Sequence, residues 1–136
     1  MALGDPISEW NGKITSVKVQ PFESSGWGIK QEINIFANQS GRLSGQETGT
    51  IYLQLALDGK STGSYYGVLV TSGGGETVII ESRGAGVPIG SGRTRFRTTV
   101  TFRTISKDLA WLNTIVAAFE GEADQFTIVG KIYEWK

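Results

Sequence analysis

The groups in this chain that could do chemistry are carboxylates, tyrosines, arginines and lysines, because it contains neither histidine nor cysteine. Those absences remove the Ser-His-Asp and Cys-His arrangements and the usual zinc sites, leaving oxygen-ligand metals as the remaining metal class. Two glutamates have spacing that suits proton transfer. Glu134, in "KIYEWK", shares a period-2 face with Phe126, Ile128 and Ile132. If that face lines an interior, the carboxyl stands among apolar walls, where desolvation raises its pKa toward the working range of a general acid or base. If Val129, Tyr133 and Trp135 face inward instead, Glu134 is an exterior charge. Glu81, following Val78 and Ile80 in the other parity, is a second catalytic candidate of the same kind.

The most strongly patterned stretch is "RTRFRTTVTFRT", residues 93–104, with Arg93, Arg95, Arg97 and Arg103 in one parity and Phe96, Thr98, Val100 and Phe102 in the other. On a strand this parity becomes two faces. The arginines could orient a ligand carboxylate through their bidentate forks. They could equally coat the outside of a sheet, since burying several of them would require matching buried charges. We read the stripe as a solvated exterior, with Arg83 and Arg95 kept as ligand-binding candidates. Arg83 closes a strand beside the glycine-rich run "GAGVPIGSG" (84–92). The carboxylates Glu120, Glu122 and Asp124 in "FEGEAD" read as turn residues, their spacing lacking a calcium-loop pattern.

Tyr52, Tyr65, Tyr66, Trp27, Trp111 and Tyr133 form an aromatic pool that would supply walls and hydroxyl donors to a pocket, or packing to a closed core. From it, Tyr52, Tyr66 and Trp111 are taken as ligand-binding candidates. Asn113 in "AWLN" joins them as an amide donor, with capping as its alternative role.

The elements that must position these residues are strands. Short runs rich in Val, Ile, Thr, Phe and Tyr, fenced by Gly, Ser, Asn or Asp, recur along the chain. They fall at 13–20, 29–37, 49–57, 64–71, 77–84, 93–104, 113–121 and 126–135, with glycine-rich hairpin connections at 57–63 and 71–77. The run at 84–92 reads as a wider loop. One short helical turn is expected at "SKDLAWLN" (106–113), where Ser106 or Asp108 can cap. Many short antiparallel strands must hide their edges, and closure into a barrel does so most fully. The expectation is an all-β fold: a single antiparallel barrel of about eight strands, its interior either filled or wide enough for one small ligand.

A length of 136 residues suits one domain. The balance of 13 Lys+Arg against 13 Asp+Glu lacks the basic excess of a nucleic-acid binder. No segment has the length and apolarity of a membrane-spanning helix, and the N-terminus lacks a basic region followed by an apolar run, so a cytoplasmic protein without a membrane partner is expected. We expect no cofactor and no metal. Exposed sheet carrying Trp and Tyr points to a homo-oligomer, most simply a dimer.

From Arg95 onward, "RFRTTVTFRT…LAWLN…FEGEAD…IVGKIYEW" resembles the small, mostly bacterial proteins grouped as domain of unknown function 3237, and "ETVIIESRGAG" (76–86) resembles that family's middle strand. Arg95 opens the resembling run, which is why it is kept as a candidate. The resemblance covers the C-terminal half well and "GRLSGQETG" (41–49) loosely. It implies a compact antiparallel barrel similar to lipocalin-like and allene-oxide-cyclase-like barrels, and it implies no reaction. Three functions stay open. They are a binder of a small, largely apolar organic molecule, a cofactor-free isomerase or cyclase acting on such a molecule, and a structural subunit with a filled barrel. A cavity containing a buried carboxylate would favour the second.

Overall fold

The computed structural model describes residues 3–21 and 28–135. Eight strands, β1 (Leu3–Pro21), β2 (Gly28–Gly41), β3 (Gly45–Ala56), β4 (Ser61–Thr71), β5 (Thr77–Gly90), β6 (Arg93–Arg103), β7 (Ala117–Ala123) and β8 (Thr127–Trp135), run in sequence order around a closed barrel. Each neighbouring pair is antiparallel, and β1 closes the circle on β8. Among the described residues every strand is paired on both sides, as the expectation of a closed barrel required.

Alternation decides what faces in. On β6, Phe96, Thr98, Val100 and Phe102 point inward and the arginine stripe stands outside. Arg95 and Arg97 are registered opposite Glu122 and Glu120 of β7, and Arg93 pairs with Glu122. On β8, Ile128 and Ile132 are buried, so the face shared with Glu134 is the inner one.

Several boundaries differ from the sequence reading, β2, β4 and β7 by a few residues and four others with consequences for the fold. β1 begins at Leu3, ten residues before the first expected strand, with register shifts on either side of Pro6 where it meets β8. β3 begins at Gly45, which brings "GQET" into the sheet. β5 runs on through the stretch read as a loop and turns only at Ser91 and Gly92, both in the left-handed region. Glycine is there a packing residue: a side chain on Gly86 would meet the Phe96 ring and Thr94 of β6. The helical turn is a short 3-10 turn, Ala110–Thr114, where a turn at 106–113 was expected.

That turn plugs one end of the barrel. Leu112 is fully buried there with Ile7, Leu43, Leu69 and Val78. The turn is tied to the end of β6 by Asn113, whose Oδ1 accepts from the Thr104 N–H and whose Nδ2 donates to the Thr104 carbonyl, each at 2.9 Å. Toward the other end the inward residues thin out to glycines and half-buried side chains, and there the interior is not filled.

Candidate functional site

The space left inside measures about 80 Å³. Its walls are apolar, formed by Ile51, Leu53, Phe96, Phe119, Ile128 and Ile132 among others. One water needs roughly 10–15 Å³ on this measure, so the cavity has room for several waters or a small organic molecule. A carboxylate stands in this setting. Glu47, on the inner face of β3, is 1% exposed.

Glu47 is held by neutral donors from three strands. Gln39 Nε2 of β2 donates to Oε1 at 2.6 Å, Trp10 Nε1 of β1 donates to Oε2 at 3.2 Å, and the Tyr65 hydroxyl of β4 donates to Oε2. Behind Gln39, Ser8 Oγ donates to Gln39 Oε1 at 2.6 Å, which fixes the amide with its NH₂ toward the carboxyl. Strand alternation places Trp10, Gln39, Glu47 and Tyr65 all inside; register sets Trp10 opposite Gln39, while Tyr65 is opposite Ile51, four residues along β3 from Glu47. Trp10 is further set edge-on to Tyr65 (6.2 Å, 88°) and to Phe119 (5.7 Å, 78°), the arrangement the ring quadrupoles prefer.

The room for Tyr65 comes from Gly49 and Gly67. A Cβ on either would overlap the Tyr65 hydroxyl end. Two glycines registered opposite each other on β3 and β4 therefore form a floor across which the phenol reaches from its own level down to Glu47.

Burial pushes the Glu47 carboxyl above its ordinary range; the bonds from Tyr65, Gln39 and Trp10 oppose that without cancelling it. The Tyr65 hydroxyl is raised as well, first by burial, then by the Glu47 charge and by the bond it donates to Glu47. Together they make a buried acid–base pair with a carboxyl that desolvation urges to take a proton and a phenol that keeps its own.

No family model matches the chain, and no curated protein matches it. Solved structures do. A β-barrel-like protein of Acinetobacter baumannii AYE superposes with a TM-score of 0.86 at 18% identity, covering 99% of this chain and 96% of that one. A protein of unknown function from Clostridium acetobutylicum gives 0.84 at 19% identity, with 96% of each chain covered. An enzyme from Penicillium herquei gives 0.63 at 18% identity over 97% of this chain and 96% of its own. At these identities the likeness is one of fold.

None of the catalytic and ligand-binding candidates taken from the sequence lines the cavity, although Tyr65 of the aromatic pool does. Glu134 is on the inner parity but at the plugged end, where its carboxylate lies 3.9 Å from Arg42, and its side chain is 25% exposed. Trp111 belongs to the same end, with the Arg42 guanidinium 4.3 Å over its ring. Glu81, Arg83, Tyr52 and Tyr66 stand on the outer face of β3 to β5, the two tyrosines edge-to-face at 6.1 Å, and Arg95 is exposed on β6. Asn113 spends its amide on Thr104. Trp27 lies outside the described residues. Asp124 of "FEGEAD" accepts from the N–H groups of Phe126 and Thr127, which hold its carboxyl below the usual range and make it a turn residue. Among the described residues no group of three carboxylates comes together as a metal site would need.

Of the site that is present, only Tyr65 was in the aromatic pool; Glu47, Gln39, Trp10 and Ser8 were missed. The signal was the alternation Gly45, Glu47, Gly49, Ile51, Leu53, a period-2 face that carries one carboxylate among glycines and aliphatics.

Proposed function

We propose that this barrel binds a small, largely apolar organic molecule in the Glu47 cavity and moves a proton on it, as a cofactor-free isomerase or cyclase. The observation that carries this is a buried carboxyl facing an apolar cavity with only neutral partners. As the carboxylate, Glu47 takes a proton from an activated C–H or O–H of the bound molecule. The electron pair released shifts into the adjoining π system, and the carboxylic acid returns the proton at another atom. Bonds rearrange with no net oxidation, and the apolar walls hold the molecule in its reactive shape. The Penicillium herquei neighbour, an enzyme with this fold, supports a catalytic reading. The resemblance to domain of unknown function 3237, carried by the C-terminal half, is compatible with it and adds no reaction.

A binder without chemistry is the second reading, favoured by the three donors that already occupy the Glu47 oxygens. Deuterium exchange separates the two. With 1-tetralone in D₂O, followed by proton NMR, the protein should accelerate loss of the signal from the carbon beside the carbonyl. Glu47→Gln should lower that acceleration by about 10²-fold or more, the usual contribution of a positioned acid–base group. Binding of 1-tetralone with exchange at the buffer rate would leave the binder.

A further inference from the structure

The other polar atoms of the cavity wall stand apart from Glu47. Ser82 of β5 and Thr98 of β6 both face the cavity, and Ser82 Oγ donates to Thr98 Oγ1 at 2.6 Å. Two hydroxyls carry two protons and share one bond, so one O–H remains, and no further hydrogen bond engages it among the described residues. A hydroxyl proton left unpaired in an apolar wall is costly unless something that enters the cavity accepts it.

The register sets the height of this pair. Ser82 is opposite Tyr65, and Thr98 is opposite Gly84, one inward step further from the plug. Glu47 is opposite Leu69, four residues along β4 from Tyr65 toward the plug. At ~3.3 Å per residue the backbones of Ser82 and Glu47 are offset by about 13 Å along the strands. The Tyr65 and Glu47 side chains shorten that span from below by meeting across Gly67 and Gly49. By register Ile80 stands between the two polar stations, and Val100, Phe96 and Phe119 complete the apolar wall around the cavity.

Resting on the binding reading above, we infer that Ser82 and Thr98 form a specificity site for a ligand whose apolar skeleton carries a hydrogen-bond acceptor, a carbonyl or ether oxygen, at the end remote from Glu47. The free O–H of the pair donates to that oxygen and sets which end of the molecule enters first. The reacting end is thereby delivered to Glu47 and Tyr65.

Fluorescence titration with 6-acetyl-2-naphthol and 2-naphthol tests this, since the two share a ring system and a hydroxyl and differ only in the distal acetyl group, whose carbonyl is the acceptor. The wild-type protein should bind the acetyl compound about five- to tenfold more tightly, the value of one net hydrogen bond. Thr98→Val, which keeps the shape, together with Ser82→Ala should erase that preference and leave 2-naphthol affinity as it was. Ser82→Ala alone, which leaves the Thr98 hydroxyl free to donate, should keep most of it. Equal affinity of the wild type for both probes, or an equal loss for both in the double variant, would overturn the inference while leaving the binding reading standing. Binding of neither probe would overturn both.

Discussion

In its ionised form Glu47 accepts three neutral donors, and the same partners can serve its neutral form. When a proton sits on Oε1, Gln39 can turn its amide to present an oxygen, and the Ser8 hydroxyl can then accept where it had donated, while Trp10 and Tyr65 go on donating to Oε2. Glu47→Gln imitates the shape and neutrality of this form, with an NH₂ in place of the O–H, so we expect it to fold. It should also remove a pH dependence. The folded state holds the Glu47 proton more tightly than the unfolded chain does, so this stabilisation is complete below the ordinary value of 4.5 and is lost as pH rises through the raised one. The thermal midpoint of the wild type should therefore fall across a window that opens near 4.5, and that of Glu47→Gln should be flatter there. Asp124, with its lowered pKa, acts in the opposite sense and below its ordinary value of 3.8, outside that window. Tyr65→Phe removes the strongest bond favouring the charged carboxyl, so the window should extend to higher pH; an unmoved profile would mean that Tyr65 is not its partner. Ser61, buried and with no hydrogen-bond partner among the described residues, offers a converse test: Ser61→Ala should raise stability by about 1 kcal/mol, read from urea unfolding.

The elements succeed here because alternation survives where composition misleads. The face assignment of 93–104 was readable from the sequence, since four arginines in one parity leave the other to the core. "GQETG" was not readable in the same way, because glycines at 45 and 49 look like turn signals, and in the barrel Gly49 instead faces inward beneath the Tyr65 ring. The glycines at 84 and 86 misled for the same reason, by making room for Thr98 and Phe96. Gly49→Ala should then act as an overpacking substitution in a strand, costing about 1–3 kcal/mol and displacing Tyr65 from Glu47. A crystal structure of that variant with the Tyr65 hydroxyl still on Glu47 and undiminished stability would contradict the packing argument.

At the scale of the molecule, the barrel has two ends with different tasks. One is plugged by the 3-10 turn around Leu112, the other holds the cavity, and parity alone says nothing about which end a residue occupies. This is why Glu134, whose face the sequence left open, can lie on the inward parity and still stand away from the cavity: height along the barrel follows from register between strands, which a single sequence does not print. Leu112→Ala should cost about 2–5 kcal/mol through the cavity it opens at the plug. Because the Glu47 carboxyl is held by Trp10, Gln39 and Tyr65 and not by the 3-10 turn, its hydrogen bonds should persist in that variant below its unfolding transition. The central claim is that a titratable carboxyl faces a cavity that small molecules enter, and carbon-13 NMR of the Glu47 side-chain carboxyl tests it most directly, with and without 2-naphthol. The account predicts titration above the ordinary glutamate range in the free protein and a shift of the resonance when 2-naphthol is added. A carboxyl that titrates in the ordinary range and does not respond to 2-naphthol would contradict it.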